Sequence, residues 1–77
     1  MNFKLLETVV LARDLPEHGL EGGDLGAVVQ VYEPDHVEVE FVTASGKTAA
    51  LVTLSVKDIR HVEGNDLVAV RRLAKSA

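Results

Sequence analysis

The sequence predicts an all-β fold: a small, partly open barrel of about five antiparallel strands with a C-terminal extension. Three observations predict it. Short apolar or alternating runs recur along the chain, separated by tight-turn chemistry. The glycine-rich stretch GLEGGDLG, Gly19–Gly26, leads straight into the β-branched run AVVQVY rather than into a helix. The chain has 77 residues, 47% of them hydrophobic, which allows one domain. A domain that short buries only about 60% of the surface its unfolded chain exposes. Curling a sheet around its own interior uses the apolar residues efficiently and hides most strand edges.

The elements follow in order. Leu5–Arg13 lacks Gly and Pro, and its apolar residues do not gather on one face at helical period. At period two Val9 and Leu11 share one side and Val10 and Ala12 the other, so this run is a strand. Pro16 ends the run because it fixes φ and donates no ladder bond. Pro16–Gly19 then suits one short helical turn closed by Gly19 in a left-handed conformation, with Leu15 and Leu20 plugging the core on either side. In the second bend Gly22 and Gly23 are free to take positive φ and Asp24 can bond its own backbone in an Asx-turn. Gly26 sits just inside the next strand and reads as a bulge or a close backbone approach.

Leu25–Tyr32 is the second strand, with Ala27, Val29 and Val31 on one face and Val28, Gln30 and Tyr32 on the other. The Pro34–Asp35 turn joins it as a hairpin to HVEVEFV, His36–Val42, the clearest alternation in the chain. There Val37, Val39 and Phe41 point inward while Glu38 and Glu40 point outward. A turn around Ser45 and Gly46 leads to the fourth strand, Thr48–Ser55, with Ala50, Val52 and Leu54 inward. Val56–Asp58 suits a 3₁₀ turn, and Ile59–Val62 is a brief fifth strand anchored by Ile59 and Val62. Residues 1–63 thus form the barrel and 64–77 an extension, whose run from Leu67 suits either strand or helix.

Composition narrows the function classes. Twelve carboxylates against eight Lys and Arg give a net charge of -4, the opposite of the balance that holds nucleic acid or anionic lipid. The chain has no cysteine, which excludes disulfides, thiolate catalysis and cysteine-ligated zinc. The first apolar run is broken by Glu7, Arg13 and Asp14, so it is neither a secretory signal nor a membrane span. A cytoplasmic setting is expected.

The stretches ARDLPEHGL, GGDLGAVVQVYEP, VEVEFVTASGKTAALVTL and IRHV together resemble domain of unknown function family 4926, small bacterial proteins, over Leu5–Val62. The resemblance implies an SH3-like barrel and no established activity. The G-D-x-G-x-V piece also occurs in KOW motifs of ribosomal and transcription-elongation proteins. Glu63–Ala77 extends past the last strand of the family pattern.

The candidate sites divide by chemistry. A phosphate loop needs amides converging at a helix N-terminus, with Lys and Ser or Thr close by. Pro16, Gly19, Gly22, Gly23, Asp24 and Gly26 instead read as structural turn residues, flanked by the acidic Glu21. His18, His36 and His61 lack the local spacing of a metal site, so neither metal nor cofactor is expected. The carboxylates Asp14, Glu17, Glu21, Asp24, Glu38 and Glu40 read as a solvated acidic surface, not as acid–base catalysts in a cleft. RNA binding needs contiguous basic residues with exposed aromatics. Lys47, Lys57, Arg60, Arg71, Arg72 and Lys75 are the candidates, while Phe41 is assigned to the core and Phe3 and Tyr32 are read as partly exposed. An open barrel also offers strand edges to a protein, and the apolar stretch Leu67–Val70 needs cover.

The expected function is therefore a non-enzymatic protein-interaction or accessory module, such as a small neutralising partner of a neighbouring gene product. Its surface comprises Glu38, Glu40, Leu67, Val68, Val70, Arg71 and Arg72, and the extension could join two copies of the chain. The alternative is a KOW-like RNA or ribosome-associated module.

Overall fold

The computed structural model describes residues 1–73, and the last four residues of the extension, Lys75 among them, lie outside the described residues. Five strands form one antiparallel sheet: β1 (Thr8–Leu11), β2 (Leu25–Tyr32), β3 (His36–Val42), β4 (Thr48–Ser55) and β5 (Ile59–His61). Their order across the sheet is β4-β3-β2-β1-β5. Single 3₁₀ turns at Pro16–His18 and Val56–Asp58 sit between β1 and β2 and between β4 and β5. All five strands send apolar side chains to one core. The two edge strands, β4 and β5, do not pair with each other, so the barrel stays open.

The alternation in β3 sets the register. Val37, Val39 and Phe41 are buried and lie opposite Leu54, Val52 and Ala50 of β4. On the other side of β3, Val28 lies opposite Val39 and Val31 opposite Val37. Val9 and Leu11 from β1, Ile59 from β5, and Leu15 and Leu20 around the first 3₁₀ turn complete the interior. Leu15 and Leu20 exchange backbone bonds of 2.9 and 3.1 Å, which pins both leucines over the core. Gly19 closes the turn at φ 69°, as its lack of a Cβ allows.

Five expectations change. β1 begins at Thr8, not Leu5, because Leu6 adopts φ 69° and the Glu7 N–H bonds the Lys4 carbonyl in a turn. At its other end β1 stops at Leu11, and the Ala12 N–H turns away to the Asp58 carbonyl at 2.8 Å. In β2 the register shifts between Val28 and Gln30, so Val28 and Val31, three residues apart, both pack on the core. A bulge takes up the odd residue and overrides the period-two reading of Ala27, Val29 and Val31. Val62 lies past the end of β5 and is 41% exposed, leaving Ile59 alone as the buried anchor. Phe3 is buried in the core rather than half-exposed, because it stacks on His61 with centroids 4.3 Å apart. Gly22 does not take positive φ; among the two glycines of that bend only Gly23 does, at 99°.

Gly26 makes the expected close approach. A Cβ there would lie 2.5 Å from Val39 Cγ1 and 3.0 Å from two ring carbons of Phe41. The close packing of β2 on the β3 side chains therefore favours glycine at this position.

Candidate interaction surface

The glycine-rich bend is built from its own hydrogen bonds. The Gly22 N–H donates to Asp14 Oδ1 at 2.7 Å, Gly23 N–H to the Leu11 carbonyl at 2.7 Å and Asp24 N–H to the Glu21 carbonyl at 3.0 Å. Asp24 bonds backward in the chain rather than forward: its Oδ2 accepts from the Glu21 N–H at 2.8 Å. With these amides satisfied and Glu21 and Asp24 beside them, the bend has nothing to offer a phosphate.

What the bend holds instead is Arg71. The guanidinium donates through Nε to Asp24 Oδ1 at 2.8 Å, through Nη2 to Asp24 Oδ2 at 2.6 Å and to the Gly19 carbonyl at 3.0 Å. Glu21 lies 3.4 Å from Nη1. This two-pronged pair is the strong geometry for a guanidinium on a carboxylate. The hydrogen bond from Arg71 outweighs partial burial and holds Asp24 below the usual carboxylate range, while Asp24 pushes Arg71 upward.

A second clamp lies five residues earlier. Arg60 of β5 donates to both oxygens of Asp66 at 2.9 Å each. Asp66 also accepts from the Glu63 N–H at 2.7 Å. Arg60 is the main cause, and the Glu63 amide the second, of the drop in the Asp66 pKa to about 2.

Leu67–Val70 runs between the clamps. It is neither strand nor helix, which corrects both readings of the extension over its described part, and among the described residues it makes no backbone hydrogen bond to the domain. Leu67, Val68 and Val70 are 95%, 76% and 99% exposed. The segment forms one wall of an open groove of about 580 Å³ floored by Val10, Leu25, Val42 and Ala49.

The sheet presents a second unpartnered feature. β4 pairs with β3 on one side only. Its eight residues, TAALVTLS, contain no charge, no proline and no glycine, and Leu51 is 54% exposed. Natural edge strands are normally short, charged or bent to prevent strand addition; β4 is none of these over most of its length. Beside it on β3, Glu40 accepts from the Thr48 hydroxyl at 2.6 Å and Glu38 from the Tyr32 hydroxyl at 3.2 Å. The two carboxylates expected outward are thus half-buried members of side-chain pairs.

The remaining candidates do not converge. Among the described residues no three His, Asp or Glu side chains gather as a metal would require. His36 bonds Asp35, and His61 bonds Glu7 across 54 residues of sequence. Burial acts on Glu7 in the raising direction, but the His61 contact and the Lys4 amide together hold it below its usual value. Of the basic residues weighed for RNA, Arg60 and Arg71 are ion-paired, and Lys47, Lys57 and Arg72 are exposed and dispersed over separate segments. No helix among the described residues is long and apolar enough to cross a membrane.

Sequence reasoning singled out Leu67–Val70 and Arg71 and expected an open strand edge, but it did not find the Asp24 and Asp66 anchors or place that edge at β4. For β4 a signal existed: an eight-residue run without a charge in a chain with 20 charged residues.

The model of one protein family, described as Domain of unknown function (DUF4926), matches residues 5–61. No curated protein and no solved structure matches the chain significantly. The family match stops at the end of β5, before both tail clamps are complete.

Proposed function

The chain belongs to the family described as Domain of unknown function (DUF4926), and from that premise we propose that it is a non-enzymatic protein-interaction module of the bacterial cytoplasm. In this reading it accepts a polypeptide as an added strand on β4 and serves as an accessory or neutralising partner. One observation carries the proposal: β4 offers eight residues of free, uncharged edge. Main-chain hydrogen bonds supply affinity in strand addition, and alternate side chains supply selectivity. Leu51 and Thr53, both exposed on β4, are the side chains such a partner would read.

The acid–base pairs favour a protein over RNA as the partner. Each Arg60 and Arg71 guanidinium would have to abandon a carboxylate before it met a phosphate. A pull-down from the native host tests the reading, comparing the native chain with a Leu51→Lys/Thr53→Lys variant. The expected result is a protein retained by the native chain and lost by the variant. Retention that is indifferent to the edge substitutions refutes the proposal. Salt-sensitive recovery of RNA, lost on changing Arg71 and Arg72, would replace it with the KOW-like reading.

A further inference from the structure

We propose that Asp66–Arg71 is a strap in cis: it covers an apolar interaction groove on the outer face of β5, β1 and β2, and its two ion pairs are the fastening. This surface is separate from the β4 edge, so the two readings stand or fall independently. The key residue is Val10. It alternates along β1 with Val9 and Leu11, which belong to the interior cluster, and it does not belong to that cluster itself. Its side chain therefore stands on the outer face, yet it is 4% exposed. An apolar side chain on the outer face of a sheet needs a cover to be that dry.

The register shows what crosses it. Val10 lies directly opposite Arg60 of β5 on one side and Leu25 of β2 on the other. Arg60 holds Asp66, and Asp24, the residue before Leu25, holds Arg71. The chain from Asp66 to Arg71 thus starts on one neighbour of Val10 and ends beside the other, with β1 between them. Two interstrand steps separate those ends by about 10 Å, well within the reach of the segment. The strap, Val10 and Leu25 line one groove, which continues to Val42 and Ala49 at the β3–β4 end.

The fastening is polar. The domain offers the cation Arg60 at one end and the carboxylates Asp24 and Glu21 at the other, and the strap meets them in matching order with Asp66 and Arg71. The large apolar side chains of the strap, Leu67, Val68 and Val70, stay in water instead of filling the groove. Little apolar burial therefore holds the strap down, and its ion pairs are partly exposed and open to screening by salt. A cover attached in this way opens locally without unfolding of the sheet beneath it. Open, it presents Val10, Leu25 and Val42 as one apolar surface rimmed by Arg60 and Asp24.

The chain has no cysteine, so a single Val10→Cys substitution reports on the strap through its rate of alkylation by iodoacetamide. In the otherwise native full chain the thiol is expected to react slowly. Asp66→Asn/Arg71→Gln unfastens both ends, leaves Arg60 and Asp24 in place and removes one charge of each sign, so the net charge stays at -4. It should speed the alkylation roughly tenfold, as the loss of two exposed two-pronged pairs allows. Added salt should speed the reaction in the fastened chain and far less in the unfastened one. Val9→Cys, in the interior, is the control: it should stay slow in both backgrounds, which separates opening of the strap from unfolding of the domain. A fluorescent apolar dye gives a second readout on chains that keep Val10, and it should bind the Asp66→Asn/Arg71→Gln chain more strongly than the native one. A Val10→Cys thiol that reacts fast in the native background, or that stays equally slow once both pairs are gone, overturns the proposal. Equal dye binding by the two chains overturns it, and so does a Val9→Cys thiol that speeds up in step with Val10→Cys.

Discussion

Replacing Gly26 with alanine adds one methyl group at the tightest point in the core. That methyl would sit 2.5 Å from Val39 Cγ1 and 3.0 Å from Phe41 Cδ1 and Cε1. Val39 has little room to withdraw, because it is wholly buried and lies opposite Val28 on one side and Val52 on the other. Overpacking of this kind costs about 1–3 kcal/mol. Alanine also narrows the unfolded ensemble, which returns about 0.4–1 kcal/mol. The net expectation is a loss of about 1–2 kcal/mol, or roughly 5–15 °C in melting temperature for a domain of this size. Urea unfolding followed by circular dichroism should show a lower midpoint with an unchanged slope. Gly64→Ala is the control: no atom lies within 4 Å of a Cβ there and its φ is not positive, so a change within about 0.5 kcal/mol is expected. Adding Val39→Ala removes the nearest clashing carbon. In that background Gly26→Ala should cost about 1 kcal/mol less than in the native chain. A Gly26→Ala variant as stable as the native chain, or strict additivity with Val39→Ala, would refute the close-approach account.

Three further outcomes follow from the same structure. Leu11→Ala opens a cavity where β1 meets the core and should cost about 2–5 kcal/mol, a large part of the roughly 4–12 kcal/mol typical of a chain this length; a urea midpoint near the native value would contradict it. Asp14→Ala strips the acceptor from the Gly22 N–H and should cost about 0.5–1 kcal/mol in the same assay, with faster hydrogen exchange at Gly22 as its local signature. Acid should release the tail before it melts the sheet. Asp24 and Asp66 have folded pKa values below their unfolded ones, so their stabilising contribution is full above the unfolded value and is lost as pH falls through the folded value. For Asp66 that window runs from the usual 3.8 down to about 2. Amide signals of Leu67–Val70 should shift over this range in the native chain, and Asp24→Asn should loosen the Arg71 end already at neutral pH; a tail whose signals do not move down to pH 2 would contradict the clamps.

Legibility in the sequence tracked how local the determining physics is. The Val37–Phe41 alternation, the Pro16–Gly19 turn and the Val56–Asp58 turn depend on neighbours within a few residues, and the structure places each where the sequence does. The bulge at Val29 depends on a length mismatch between two paired strands, so a single run of valines carries no trace of it. Leu5 and Leu6 are apolar yet exposed in a turn, because Phe3 rather than either leucine fills the core beside His61. The Asp24–Arg71 and Glu7–His61 contacts join residues 47 and 54 positions apart. Charge pattern in a single sequence has no means of pairing such distant groups.

The same distinction bears on the two exposed apolar segments. Leu67–Val70 and β4 are alike in sequence: short, apolar and uncharged. By hydropathy alone either could be core. Topology separates them from the interior, since β4 is placed at the edge by its order in the sheet, and Leu67–Val70 follows the last strand and is tied to the domain surface by a carboxylate–guanidinium pair at each end. An apolar segment that was merely surplus would be expected to collapse into the groove beside it, which Val10, Leu25 and Val42 make apolar enough to receive it. Two polar anchors instead fix both its ends to the domain, so that it stands as a wall of that groove. The anchors thus account for where the exposed segment stands, and the pull-down with the Leu51→Lys/Thr53→Lys variant asks separately whether the β4 edge takes a partner.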